Sequence, residues 1–157
     1  MNSKIKSLQN LRSLAKKLKR QGKKTVFTNG CFDILHYGHV DYLRRAKRCG
    51  DVLIVGLNTD KSVRRIKGKG RPFNRQRDRA EILSELACVD CVTFFGTSTP
   101  LSLIRKIKPD VLVKGADWEL KDITGRGFVE SYGGRVVRIP LVPGRSTSKT
   151  LRKMGVK

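Results

Sequence analysis

The sequence predicts an α/β fold: a doubly wound parallel sheet of five strands with an amphipathic helix ahead of it. Three observations lead there. Five short apolar runs, most of them near-continuous and β-branched, recur along the chain, as strands covered on both faces do. Segments with apolar residues at helical spacing separate the later ones, and alternating strand and helix gives parallel strands joined by crossovers. At 157 residues the chain fits one domain with a substantial core and is short for two.

Ile5, Leu8, Leu11, Ala15 and Leu18 fall at helical spacing among lysines and arginines, so residues 4–20 read as a helix ended by Gly22. Residues 1–22 are thereby an N-terminal helical extension of a single domain over 1–157. Thr25-Val26-Phe27-Thr28 is the first strand, and a helix from His39 to Cys49 follows, with Val40, Leu43 and Ala46 on one face. Val52 to Leu57 is the second strand. Lys61 to Arg79 holds nine Lys/Arg with Gly68, Gly70 and Pro72, and reads as a long mobile loop. A helix over Arg77 to Ala87, a strand over Cys91 to Phe95 and a helix over Leu101 to Ile107 come next. Val111-Leu112-Val113 and Val136 to Ile139 complete the sheet.

Charge narrows the function. Lys and Arg number 35 against 13 acidic residues, a net charge of +22, and no acidic residue precedes Asp33. Such a balance points to anionic partners. Aromatic residues make up only 6% and do not interleave with the basic clusters, so stacking platforms for single strands are not evident. Nucleic acid is not expected as a partner, although a nucleic-acid-binding protein is the competing reading from a different class. No apolar stretch approaches the roughly 20 residues that cross a bilayer, and the basic N-terminus lacks the pattern of a secretory signal. A cytoplasmic protein without a membrane partner is the expectation. Cys31, Cys49, Cys88 and Cys91 read as free thiols. Cys88 and Cys91 have C-x-x-C spacing, but a structural zinc needs a second pair that the chain does not have.

The stretch "TVFTNGCFDILHYGH", Thr25 to His39, carries the site. In a doubly wound sheet ligands bind at the carboxyl ends of the strands, where the strand order reverses, and the turn after the first strand lies there. A helix that starts near Gly38 presents unpaired N–H groups and the positive end of its dipole, a seat for phosphate. Gly38 lets a ligand approach the backbone, and Asn29-Gly30 opens the exit from the strand. His36 and His39, the two histidines of the chain, add imidazole donors. They donate to phosphoryl oxygens and, if protonated, offset developing charge.

"FTNGCFDILHYGHVDYLRRAK" resembles the signature of the cytidylyltransferase-like nucleotidyltransferases, with their H-x-G-H motif. The match is closest to the bacterial D-glycero-β-D-manno-heptose 1-phosphate adenylyltransferases. "GDVLIVGLNTDKSVRRIKG", "RPFN", "DRAEIL", "VDCV", "PDVLVKGADW" and "PLVPGRSTSK" continue the likeness from about Ile5 to the C-terminus. The resemblance implies a Rossmann-like fold of nucleotidyltransferase type and the transfer of AMP from ATP to a heptose 1-phosphate. ADP-heptose for lipopolysaccharide core or related surface glycans would be the product. Mg2+ is expected with ATP, with no protein ligand assigned to it, and the chain is expected to form a homodimer or higher homo-oligomer. Glycerol-3-phosphate cytidylyltransferase and FAD synthetase share the H-x-G-H motif and are the alternatives within the same chemistry.

The resemblance also assigns residues. His36, His39, Lys47 and Arg79 are the implied catalytic, phosphate-directed groups. Thr28, Asn29, Gly30, Cys31, Phe32 and Asp33 form the floor of the nucleotide site, with Gly38 beside them. Lys114, Gly115, Asp117 and Trp118 at the end of the fourth strand, and Ser146, Thr147 and Ser148 at a helix start, complete it. Ser148 stands where Thr is commoner and keeps the hydroxyl. Lys67, Lys69 and Arg71 are the implied substrate and phosphate loop.

Overall fold

In the computed structural model the described residues are 2–153 and 155. A domain over 1–157 thus includes Met1, Met154, Val156 and Lys157, which lie outside the described residues. Five parallel strands form one sheet: β1 (Thr25–Gly30), β2 (Val52–Asn58), β3 (Cys91–Phe95), β4 (Val111–Gly115) and β5 (Arg135–Ile139), in the order β3-β2-β1-β4-β5. The chain winds outward from β1 through β2 to β3, then crosses back to lay β4 on the other side of β1. Val26 pairs with Leu53 on one side and Val111 on the other. The strand order therefore reverses between β1 and β4.

Successive strand residues point to opposite faces, and the core divides accordingly. Val26, Leu53, Val55, Val111 and Val113 pack with Leu43 and Ala46 of α2 (Tyr37–Lys47) and with Ala80 and Leu83 of α4 (Gln76–Glu85). Phe27, Ile54 and Leu112 face the other way, onto Leu11 and Ala15 of α1 (Leu8–Arg20), Leu103 and Ile104 of α5 (Leu101–Ile107) and Val129 of α6 (Arg126–Ser131). Burying each such aliphatic or aromatic side chain contributes roughly 1.5–3 kcal/mol before entropy is counted. Helices on both faces are why the strands read as near-continuous apolar runs. Among the described residues no helix is long and apolar enough to cross a membrane.

Two elements differ from the sequence expectation. The first helix starts at Leu8, not at residue 4, because the Ser7 side chain accepts from the Asn10 N–H and caps it. Residues 4–6 instead extend along β3: the Lys6 N–H donates to Val92 O at 2.8 Å and the Val92 N–H to Lys4 O at 2.9 Å. They cover backbone groups that a sheet edge leaves unpaired. The expected loop over 61–79 contains helix α3 (Asp60–Lys67) and the start of α4. Thr59 caps α3 by accepting from the Ser62 N–H, and Gly68 ends it at φ 90°. Most of α3 is charged and only Val63 and Ile66 are apolar, too short a stripe to register as helical periodicity. Short α6, a 3₁₀ turn over Leu120–Asp122 and α7 (Thr147–Lys153) finish the order.

Candidate active site

A cleft of about 610 Å³ opens at the carboxyl ends of the strands. Its floor is the β1–α2 connection: Asn29, Gly30, Cys31, Phe32 and Asp33 all line it, as do His36, Gly38 and His39. Phe32 stands at φ 43°, the left-handed region that a bulky residue seldom enters and that costs on the order of 1–3 kcal/mol. Its ring is folded back over Gly30, where a Cβ would lie 2.9 Å from Cε2. A second, shallower hollow at the start of α4 is lined by Asp60, Arg75, Gln76, Arg77 and Asp78 and contains no histidine.

His36 is the N-cap of α2, and no side chain caps that helix end. Its ring stacks on His39 with centroids 3.9 Å apart and planes 26° from parallel, and Phe32 meets His39 edge-on at 5.3 Å. Both Nδ1 atoms are buried with no hydrogen-bond partner among the described residues. Burial, then the neighbouring His36, pushes His39 down to about 4. Burial and then Arg145 lower His36. Both imidazoles are therefore neutral near pH 7 in the free protein, and act as neutral hydrogen-bonding groups rather than as cations. Gly38 lines the cleft and has a further reason to lack a side chain. A Cβ there would lie 3.0 Å from the His36 ring and 3.2 Å from Arg145 Cβ, so the missing side chain makes room for the imidazole and for the approach of residue 145.

On the far side of β1, Lys114 at the end of β4 donates through Nζ to Asn29 Oδ1 at 2.5 Å, across the point where the strand order reverses. Burial pushes Lys114 down to about 8 against the opposing pull of Asp117. Its ammonium sits 5.7 Å from the centroid of Trp118, whose ring is half-exposed at the cleft wall. Gly115 lets the Asp117 carboxylate fold over the strand end, since a Cβ would meet Asp117 Oδ1 at 2.3 Å. Ser146, Thr147 and Ser148 line the same cleft, and the Thr147 hydroxyl donates to Ile34 O at 3.3 Å, tying the start of α7 to the β1–α2 connection.

Opposite that wall, Lys67 and Arg71 line the cleft. Arg71 is held by Asp33: its Nε donates to Oδ2 at 2.8 Å. The same buried carboxylate accepts the N–H groups of Phe73 and Asn74. Asp33 is thus a latch for residues 71–74 as well as part of the floor. Burial raises the Cys31 thiol, so it stays protonated.

Four expected site residues stand elsewhere. Lys47 bonds to Asp90 Oδ2 and Asp51 O at the opposite end of the sheet, because eight residues of helix carry it about 12 Å along the axis from His39. Arg79 is buried and outside the cleft: Nε donates to Asn74 O, Nη1 to Cys31 O, and Nη2 to both Asn58 O and Asp60 Oδ1. With every nitrogen engaged it shapes the floor from outside the cleft. Thr28 is fully buried and shares a 2.7 Å hydrogen bond with Tyr42, so Tyr42 lines the cleft and Thr28 does not. Lys69 is exposed and away from the cleft walls.

Comparison with known proteins decides the family. Residues 27–148 match the model of the cytidylyltransferase-like family. The chain belongs to that family. This cytidylyltransferase-like chain is 50% identical over 153 residues to the bifunctional protein HldE of Syntrophotalea carbinolica, covering 98% of the chain and 31% of the relative. It is 53% identical over 150 residues to HldE of Wolinella succinogenes, with 96% and 31% covered. The chain thus spans about a third of the length of the curated relatives it matches. The crystal structure of the lipopolysaccharide core biosynthesis protein from Thermoplasma volcanium is similar at a TM-score of 0.63 and 30% identity, covering 77% of this chain and 98% of that one. Pantoate-beta-alanine ligase from Francisella tularensis shares the fold at a TM-score of 0.61 and 17% identity, covering 92% of this chain and 68% of that one.

The cytidylyltransferase-like cleft also has walls that the sequence reading did not assign. Asn58, Ile66, Phe95, Ser98, Thr99 and Pro100 close one side, and Thr124, Leu141, Val142 and Arg145 the other. Arg145 stood inside a quoted motif; position after a strand was the available signal for Asn58 and Ser98. Leu141 and Val142 stand in the same motif as Arg145, whereas Thr124 carries no local signal.

Proposed function

We propose that the protein transfers AMP from ATP to D-glycero-β-D-manno-heptose 1-phosphate, giving ADP-heptose and pyrophosphate. The observation that carries this reading is one cleft with phosphate-binding groups on two walls: His36, His39, Lys114 and Arg145 on one, Lys67 and Arg71 on the other. Two phosphate-bearing substrates need that arrangement, and a single nucleotide does not. The heptose assignment is supported by motifs that span nearly the whole chain. The 30% identity to a lipopolysaccharide core biosynthesis protein agrees with it.

An oxygen of the sugar phosphate attacks the α-phosphorus in line, the bond to the bridging oxygen breaks, and pyrophosphate carries away the electron pair. The acceptor oxygen is already ionised, so no general base is required, and the protonated Cys31 thiol is not a nucleophile. The residues supply positioning and neutralisation. The neutral histidines hydrogen-bond phosphoryl oxygens, Lys114 brings a charge to the strand-order reversal, and Trp118 offers an aromatic face to the base. Among the described residues no group of three or more His, Cys, Asp or Glu is placed to hold a metal. Mg2+ brought with ATP would supply further neutralisation of the phosphate charge.

Pyrophosphate release from a panel of ATP and CTP crossed with heptose 1-phosphate, glycerol 3-phosphate and FMN tests the reading. ATP with heptose 1-phosphate is expected to be fastest; faster turnover of CTP with glycerol 3-phosphate would overturn it. The same assay tests Lys114. A lysine titrating at about 8 is charged below that pH and neutral above it, so kcat/KM for ATP should fall as pH rises past 8. Lys114→Arg, charged throughout, should remove that limb; an identical alkaline fall in the variant would assign the titration to another group.

A further inference from the structure

One nearly buried polar residue at the cleft has no part in the phosphate-binding groups named above. Asn58 ends β2 and is 3% exposed, yet it is among the residues that line the cleft. Its Nδ2 donates to Ser62 Oγ at 2.9 Å, and Ser62, fully buried on α3, donates its own hydroxyl to Thr97 O at 3.3 Å. Because the serine proton is committed to Thr97, its oxygen must accept from Asn58, which fixes the amide orientation. Asn58 Oδ1 is thereby turned away from the Ser62 hydroxyl and accepts from the Cys31 thiol at 4.0 Å, a weak donor. A buried carbonyl oxygen held rigidly at a ligand cleft with so poor a donor is an acceptor prepared for a better one.

We propose that Asn58, held by Ser62, is a specificity-determining residue that accepts a hydrogen bond from a hydroxyl of the acceptor sugar. The inference rests on the sugar-phosphate reading of the cleft. The wing where Asn58 stands favours the acceptor over the nucleotide. It lies on the β2 and β3 side of β1, with Ser98 and Thr99 nearby on the wall and Lys67 as its cation. Lys114 and Trp118 occupy the opposite wing, beyond the strand-order reversal. A site that hydrogen-bonds a hydroxyl rejects an analogue without it, because the buried protein group is then left unpaired.

The test uses Asn58→Leu, which keeps the size and removes the amide, and Ser62→Ala, which keeps the Asn58 acceptor but removes the hydroxyl that orients it, together with that hydroxyl's bond to Thr97 O. Asn58→Leu should raise KM for the acceptor on the order of 10- to 100-fold and leave KM for ATP within about twofold. Ser62→Ala should move the acceptor KM in the same direction by less. Wild-type protein should discriminate against one monodeoxy analogue of the acceptor, and Asn58→Leu should treat that analogue and the parent alike. Equal rises in both KM values, or undiminished discrimination in the variant, would overturn the proposal. If glycerol 3-phosphate or FMN proves to be the acceptor, the heptose reading fails by itself. The split between acceptor and nucleotide KM in the variants, measured with that acceptor, still decides the role of Asn58.

Discussion

Replacing His36 or His39 by alanine is expected to lower kcat by roughly 10²–10³-fold, the cost of removing one preorganised donor from a developing phosphoryl charge. The two rings form one unit, stacked 3.9 Å apart on the first turn of α2 and its cap. Their losses should therefore be far from additive, with the double variant little slower than the worse single one. The defect should also be constant between about pH 7 and 8, because burial pushes His39 down to about 4 and lowers His36 from its ordinary value. Steady-state kinetics across that range, with circular dichroism to show an intact fold, make the measurement. Wild-type rates in a folded double variant would take the histidines out of the chemistry.

The second large effect is on stability. Arg79→Met should destabilise the protein by about 3–5 kcal/mol, the range for removing one member of a buried ion pair. Three carbonyls, of Cys31, Asn58 and Asn74, and the Asp60 carboxylate lose their donor together. For a chain of this size the melting temperature should fall on the order of 10 °C. Arg79→Lys should recover little, since one ammonium cannot reach acceptors set in several directions as a planar guanidinium does. Both variants should also lose activity at temperatures where they remain folded, because the carbonyl of Cys31 belongs to the cleft floor. A melting curve unchanged in Arg79→Met would show that the network contributes nothing.

Most of the frame was legible because it depends on local pattern. The five strands are short apolar runs, and covering both faces leaves them no polar alternation to hide. The turn carrying His36, Gly38 and His39 follows the first strand directly, and the ligand edge of such a sheet is set by topology. Helix α3 escaped because its burial rests on Ser62 and Val63 within a charged segment. Lys47 was misplaced because a shared helix says nothing about which end of the sheet each residue reaches. Arg79 follows the same logic in reverse. It is next to Ala80 and one turn from Leu83, both in the core, but the carbonyls that receive it come from three separate segments.

What the sequence determined by itself is the set of local choices: strand runs, the amphipathic helices between them, the phosphate-seat turn, and through its motifs the family. Tertiary structure alone decided which charges meet a ligand and which hold the protein together. A guanidinium, a lysine and a carboxylate have the same formula in either role. The difference lies in desolvation and in the donors and acceptors that distant segments bring within about 3 Å. Asp33 latches the 71–74 segment, Arg79 binds the floor from behind, and Lys114 is desolvated at the reversal of strand order. None of these partnerships is between neighbours in sequence, so only the folded chain creates them.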